Sequence, residues 1–157
     1  MSNQHSQHSS SKRQHGSALL EALIAVLIFS MGIIALMGLQ AVSIKNSIDA
    51  HYRAEAAYLA NQIISQMWVD RSNLGAYAHY PTGAGCAPTG ASSTLVNVTN
   101  WLAQTTAALP GATGAKQQIS VTTPLANTRQ VTVTVCWQGP QEATPHNFVA
   151  TAQINTP

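Results

Sequence analysis

Glu21 is the residue of this sequence whose position most needs a chemical explanation. It lies near the start of a run from Ala18 to Leu39 in which every other residue except Ser30 is apolar or small. A charged side chain in a membrane helix costs about 3 kcal/mol at the bilayer centre and less near its edge. An amine would offset this cost, and cleavage of the chain after Gly16 would create one at Ser17. A neighbouring chain, shifted along the helix axis, could present that amine to Glu21.

The two cysteines, Cys86 and Cys136, both lie beyond the apolar run. If that part of the chain is outside the cytoplasm, where disulfides persist, a bond between them would close a loop of about fifty residues and add about 4 kcal/mol in the chain-entropy model. In a cytosolic chain, two unrelated buried thiols would be the better interpretation. We therefore predict the disulfide on condition that this part is exported.

The histidines do not have the spacing of metal ligands. Three belong to the polar N-terminal stretch and three are scattered through the remainder: His5, His8, His15, His51, His79 and His146. We interpret them as surface residues, and we predict neither a metal site nor a cofactor.

Nothing in the sequence indicates catalysis or nucleic-acid binding. It contains no Gly-x-Ser-x-Gly elbow, no histidine motif near either cysteine and no phosphate loop. We interpret Trp68, Trp101 and Trp137 as core residues. From Ser17 onward five Lys or Arg are balanced by five Asp or Glu, and a body without net charge is a poor partner for nucleic acid. We therefore expect no enzyme, no nucleic acid and no small-molecule substrate.

The run that holds Glu21 is long enough to cross a membrane. As a helix, residues 18–39 would reach about 33 Å, and the hydrocarbon core of a bilayer is about 30 Å thick. The preceding residues 1–16 are polar, contain no acidic residue and carry Lys12 and Arg13. Positive charge stays on the cytoplasmic side, so we predict a single span with the N-terminus inside and the bulk of the chain outside.

The helix should continue past the membrane, because no Pro or Gly interrupts residues 41–70. Apolar residues recur there at intervals of three and four, which predicts one continuous helix from 18 to about 70, roughly 80 Å long. Asp49 and Arg53 should pair on its exposed side. The apolar stripe would be covered by a folded domain and consists of Ala41, Ile44, Ile48, Tyr52, Ala56, Leu59, Ile63 and Met67.

The remaining residues, 72–157, should form that domain. Residues 72–93 are rich in Gly, Ala, Pro and Ser, which predicts a loop. The helical spacing of Leu95, Val98, Leu102 and Leu109 predicts a short helix, with Ser92 or Ser93 as its N-cap. Three alternating segments near 117–123, 129–137 and 147–154 then predict an antiparallel meander. In its second strand Val131, Val133, Val135 and Trp137 would point one way and Thr132, Thr134 and Cys136 the other, and one face of the sheet would pack against the stripe on the long helix. The predicted fold class is α+β.

Gly16, a four-residue apolar entry and Glu21, placed after a basic leader, resemble the class III signal of type IV prepilins. The wider stretch "LLEALIAVLIFSMGIIALMGLQ", followed by "HYRAEAAYLANQIISQMWVDRSNLGAY", is similar to the PilV group of minor pilins, the type IV pilus modification proteins. The resemblance covers residues 16 to about 80. This chain has Ser17 and Ala18 where the family usually has Phe and then Ser or Thr, and it has Gly38 where major pilins often carry Pro.

The resemblance implies a division of the chain and a role for each part. Residues 1–16 would be a leader that prepilin peptidase removes by cutting between Gly16 and Ser17, and the same enzyme would methylate the new amine of Ser17. Residues 17–40 would be the membrane and assembly half of the helix, with Glu21 as the assembly carboxylate. Residues 41–71 would be its amphipathic half, and 72–157 a periplasmic head in a pilin-like fold.

The function implied is that of a minor pilin, which waits in the inner membrane and then enters a type IV pilus. Its partners would be prepilin peptidase, the major pilin, other minor pilins and inner-membrane lipid, and it would support pilus priming, adhesion or twitching motility. A pseudopilin of a type II secretion system would have the same fold in a different machine. A periplasmic binding module on a permanent anchor is a further alternative, and there Gly16 would not be cut and Glu21 would be replaceable. An exported enzyme would need clustered acids or bases in a cleft of the head.

Overall fold

A computed structural model describes residues 15–140 and 142–156 of the 157-residue chain. Residues 1–14 of the predicted leader, which include His5, His8, Lys12 and Arg13, therefore lie outside the described residues. The elements are, in order, α1 (His15–Val69), a 3-10 helix (Leu74–Tyr77), β1 (Thr82–Ala84), β2 (Ala87–Thr89), α2 (Val96–Ala108), a second 3-10 helix (Gly114–Lys116), β3 (Gln118–Leu125), β4 (Thr128–Trp137) and β5 (His146–Asn155).

Helix α1 confirms the prediction of one long N-terminal helix. It runs for 55 residues. By length and composition it could cross a membrane, and the most apolar part of it is uncovered by the protein. The chain divides into two compact units at Asn46 and Ser47, inside this helix.

The C-terminal unit contains the two small sheets. Strands β3, β4 and β5 form an antiparallel meander in that order, as predicted, and β1 pairs with β2 in a separate hairpin. A two-residue turn at Ala126 and Asn127 joins β3 to β4, and Asn127 has a φ of 63°. Asparagine tolerates this left-handed conformation better than most residues. The chain is thus α+β, with a long helix and a small antiparallel sheet, which is the predicted pilin-like fold.

One core joins the C-terminal turns of α1 to the sheet and to α2. As predicted, alternate residues of β4 enter it: Val131, Val133, Val135 and Trp137 are all buried. From α1 it receives Ala56, Leu59, Ala60, Ile63, Ile64 and Met67. Helix α2 is fixed against α1 by Trp101, whose indole Nε1 donates a hydrogen bond to the backbone carbonyl of Leu59 at 2.9 Å in the core.

The apolar stripe on α1 is covered over a shorter length than the sequence predicts. Coverage begins with the half-buried Tyr52, and the buried part starts at Ala56. Ile44 and Ile48 remain 61% and 44% exposed. Periodicity identifies the face of a helix that is apolar, but the position of the sheet decides how many turns of that face are covered. The predicted ion pair between Asp49 and Arg53 does not form in the part of the chain that the structure describes.

The predicted loop at 72–93 is partly wrong, because it contains the first 3-10 helix and the β1–β2 hairpin. The hairpin closes through Gly85 and Cys86, and Gly85 has a φ of 59°. Glycine with positive φ at the first central position is typical of a type II′ turn, which matches the twist of two paired strands. The composition of this segment indicated turns but not the pairing between them.

Two smaller predictions are also wrong. Neither Ser92 nor Ser93 caps α2, because the helix begins after Leu95, which makes no side-chain cap bond; the Ser93 hydroxyl instead accepts a bond from the Leu95 N–H at 3.2 Å. Trp68 is 47% exposed, although Trp101 and Trp137 are core residues as expected. Thr134 and Cys136, on the face of β4 opposite to the valines, are also buried.

Candidate functional site

Glu21 lies one helical turn after Ser17 on the surface of α1. The two residues border one shallow depression, and the rest of its lining is apolar: Leu20, Ile24, Ala25 and Ile28. Glu21 is exposed, and no hydrogen bond or ion pair joins it to any group among residues 15–140 and 142–156. The carboxylate is therefore free to meet a group from outside this part of the chain.

Gly16 is not required by the packing of the described residues. A Cβ placed on it would meet no atom within 4 Å, and its φ does not lie in the left-handed region. Glycine costs about 1 kcal/mol relative to alanine inside a helix. A glycine that neither a close approach nor a special conformation explains is compatible with selection by something outside the chain.

The surface around Glu21 is apolar on every side of the helix. All the large apolar side chains from position 19 to 39 are exposed, by 39% to 71%: Leu19, Leu20, Leu23, Ile24, Val26, Leu27, Ile28, Phe29, Met31, Ile33, Ile34, Leu36, Met37 and Leu39. Soluble monomers rarely expose contiguous apolar patches larger than a few hundred Å². A helix that is apolar on all sides is normally buried in lipid or packed against other apolar helices. We therefore expect one of these two to cover this surface.

Further along α1, within the C-terminal unit, a second surface faces away from the core. It forms a shallow groove without any charged side chain, lined by Tyr58, Asn61, Gln62, Ser65, Gln66 and Val69. The Oε1 atoms of Gln62 and Gln66 are shielded from solvent and accept no bond from the described residues. Exposed helix faces in soluble proteins are usually charged, so this outer face suits contact with another chain better than contact with bulk water.

The structure joins Cys86 to Cys136 in a disulfide with a Cα–Cα distance of 5.7 Å, in agreement with the prediction. Cys86 lies in the turn of the β1–β2 hairpin and Cys136 near the end of β4. The bond therefore attaches the hairpin to the outer face of the meander. This attachment accounts for the burial of Cys136 on a face that the strand pattern alone left open.

His79 differs from the surface histidine that the sequence predicts, because it is only 3% exposed. The Ser93 N–H donates to its Nδ1 at 3.1 Å. The ring must then carry its proton on Nε2, which lies 3.0 Å from the carbonyl oxygen of Gly114 and donates to it. His79 is thus a structural residue that connects three segments of the head.

Gln117 and Gln118 are two more buried polar residues that sequence reasoning missed. Gln117 pairs with the backbone of Cys136 through both ends of its amide: Oε1 accepts from the N–H at 2.8 Å and Nε2 donates to the carbonyl at 3.0 Å. The Gln118 amide donates to the carbonyls of Tyr80 and Thr82 beside the hairpin, at 3.1 and 3.0 Å. Nothing in the strand alternation distinguishes these glutamines from surface ones.

Another contact between polar side chains of the head joins Glu142 to His146. Glu142 Oε2 lies 2.8 Å from His146 Nε2 and accepts a bond from the Gly139 N–H at 3.0 Å, while the His146 ring stacks on Trp137. This pair orders the connection from β4 to β5. In the described residues no three His, Cys, Asp or Glu side chains come together in a way that could hold a metal ion. The predictions of no metal, no cofactor and no enzyme stay predictions.

No protein-family model matches this chain, and neither a characterised protein nor a solved structure is similar enough to suggest a relative.

Proposed function

We propose that this chain is a minor pilin, a structural subunit that is inserted in the inner membrane with its head in the periplasm and then enters a type IV pilus. The observation that carries the proposal is Glu21, a carboxylate without a partner among the described residues, in the exposed part of α1 from Ala18 to Leu39 that is otherwise apolar or small except for Ser30. A helix of this kind requires both a cover for its apolar surface and a cation for its carboxylate. A bundle of identical or related helices, each with a free terminal amine, supplies both.

The mechanism is packing rather than catalysis. Prepilin peptidase would cut between Gly16 and Ser17, and the free amine of Ser17, with or without a methyl group, would begin the mature chain. Neighbouring subunits would then leave the lipid and bundle through residues 17–40, with Glu21 of one subunit paired to the amine of the next. A charge pair in a medium of low dielectric constant is costly to break by removing one partner, about 3–5 kcal/mol, so Glu21 would fix the axial register between neighbours.

The outer face of α1 in the C-terminal unit supports the same proposal. Its amide and hydroxyl groups could bond across a helix–helix contact, while the head covers the opposite face of the helix. Other minor pilins and the major pilin are the partners proposed for these contacts.

Incorporation of variants into filaments tests the proposal. We expect Glu21→Ala to be processed and retained in the membrane but lost from sheared filaments, because its amine partner would lack a counter-charge. Glu55→Ala removes a carboxylate from the half-buried side of the same helix and serves as the matched control, which we expect to be incorporated normally.

Equal incorporation of both variants would contradict the role of Glu21. A chain that is never cut and works equally well with Glu21→Ala would instead be a binding module on a permanent anchor. Rescue of protein secretion without any effect on pili would identify a type II secretion pseudopilin, in which the same fold and the same carboxylate serve a different machine.

A further inference from the structure

Strand β5 leaves one edge of the three-stranded sheet open. It is the last strand in the order β3, β4, β5, and no strand pairs with its outer edge in the residues that the structure describes. It pairs with β4 at ten consecutive positions without a bulge, and it contains no Lys, Arg, Asp or Glu, no Pro and no Gly. Natural sheets usually protect an edge with charges, proline or a bulge. Strand β5 has none of these protections.

The opposite edge of the sheet is protected in several of these ways. Strand β3 contains Pro124, and its register with β4 shifts between Thr122 and Leu125. Its first half is also occupied by an isolated bridge between Ile119 and His79. The head can therefore extend its sheet only through β5, and the contrast between the two edges indicates that β5 is left open for a partner.

The sequence of β5 is nearly symmetric about Thr151. Reading outward from this residue, the paired positions are Ala150 with Ala152, Val149 with Gln153, Phe148 with Ile154 and Asn147 with Asn155. The two faces of the strand keep this symmetry. Phe148, Ala150, Ala152 and Ile154 are half-buried or buried on the core side, while the alternate residues from Asn147 to Asn155 are exposed.

From this symmetry we propose that the head forms a dimer with a second copy of this chain by antiparallel pairing of β5 with β5 about a two-fold axis at Thr151. In that register residue i faces residue j when their numbers sum to 302, so residues of matching chemistry lie opposite each other at every pair from Asn147 to Asn155 except Val149 with Gln153. Phe148 would cover Ile154 of the other copy on the core side, and Asn147 would face Asn155 on the outer side. The two sheets would join into one of six strands, and the contact would be isologous, as two-fold interfaces are. This proposal does not depend on the function proposed above.

The β1–β2 turn contacts the first residue of β5, because Cys86 Sγ lies 3.4 Å from the His146 carbonyl oxygen. The proposed pairing avoids this end, because the symmetric segment begins at Asn147 and its apolar part at Phe148. A strand without Lys, Arg, Asp or Glu also places no such like charges opposite each other in a symmetric pair, whereas a Lys or Glu at position 151 would face its own copy.

Cysteine cross-linking of the full chain in detergent tests the register. With the native disulfide intact, Thr151→Cys should give a disulfide-linked dimer under mild oxidation, because opposed Cβ atoms lie about 5 Å apart. Asn147→Cys alone, or Asn155→Cys alone, should not form a linked dimer, because the two copies of the same residue would be offset by eight residues along the strands, or about 27 Å. A mixture of the two variants should link, because Asn147 of one copy faces Asn155 of the other. Equal linking by all three single variants would overturn the proposed register.

Lysine substitution tests whether the edge is the interface. Thr151→Lys places two ammonium groups opposite each other and should weaken the dimer at least about tenfold in dissociation constant. Thr122→Lys is the matched control, because Thr122 is an exposed threonine on the same face at the protected edge. Sedimentation of the full chain should show unchanged dimerisation for the control. Equal dimerisation of both variants would overturn the proposal. A monomeric wild-type chain at about 100 μM would also overturn it, and the open edge of β5 would then be left for a strand from a different protein.

Discussion

Removal of the disulfide should destabilise the head by an amount that can be calculated from the chain length it closes. Cys86 and Cys136 are separated by 50 residues. A loop of that length gives an entropy term of roughly 14 cal/mol/K for the unfolded state, or about 4 kcal/mol at 25 °C. The effect should arise mainly from the unfolded chain, because the hairpin that the bond attaches contributes only a few contacts to the core.

The same free energy can be expressed as a shift in melting temperature. The C-terminal unit comprises residues 47–157, and an unfolding entropy of about 2.1 cal/mol/K per residue corresponds to roughly 0.23 kcal/mol/K for the unit. A loss of about 4 kcal/mol should therefore lower its melting temperature by roughly 17 °C.

Urea denaturation of the full chain in detergent measures this loss. Tryptophan fluorescence reports on the head, because Trp101 and Trp137 are both buried in its core. The double variant Cys86→Ala, Cys136→Ala should be compared with the wild-type chain after reduction, which keeps every sulfur atom in place. Similar losses in the two samples would assign the effect to the cross-link. A loss below about 1 kcal/mol in the reduced wild-type chain would refute the reasoning.

Two further pairs of substitutions test the description of the head. Trp101→Phe removes a buried indole bond to the backbone of α1 and should cost about 2 kcal/mol by urea denaturation, whereas Trp68→Phe, at a half-exposed position, should cost less than about 0.5 kcal/mol. Gly83→Ala should cost more than about 1 kcal/mol, because Gly83 has a φ of 87° and a Cβ there would lie 2.9 Å from a carbonyl oxygen. Gly75→Ala, where a Cβ meets nothing within 4 Å, should be close to neutral in the same assay. Equal effects within either pair would contradict the assigned contacts.

The long helix and the meander could be predicted from the sequence because each depends on a repeating pattern. Residues 18–70 keep a helical composition without Pro, and β4 alternates valines with threonines from Val131 to Val135. These periods are properties of the chain itself. The covered length of α1 is not, since Ile44 and Ile48 continue the stripe but are 61% and 44% exposed.

The interior polar residues of the head could not be predicted, because their burial depends on contacts between distant segments. His79 is held by Ser93 and Gly114, and Gln117 by a strand 19 residues away. Neither has a local pattern that distinguishes it from a surface residue. Trp68 shows the converse, a large apolar side chain left half-exposed because its direction on α1 points away from the core.

The candidate site divides in the same way. Gly16, Ser17 and Glu21 were proposed as site residues because they resemble a prepilin signal, and the structure adds that Glu21 has no partner among the described residues. The open edge of β5 could not be predicted, because a sequence that predicts a strand does not say which strand ends the sheet. The near-symmetry about Thr151 indicates a pairing surface only because β5 is the edge strand of the sheet.

The measurement that tests the central claim most directly is the intact mass of the membrane-extracted chain, from wild-type cells and from cells that lack prepilin peptidase. The account predicts loss of residues 1–16 in the wild-type cells alone, with or without one added methyl group on Ser17. An uncut chain in wild-type cells would contradict the pilin proposal and leave Glu21 without an amine to pair with.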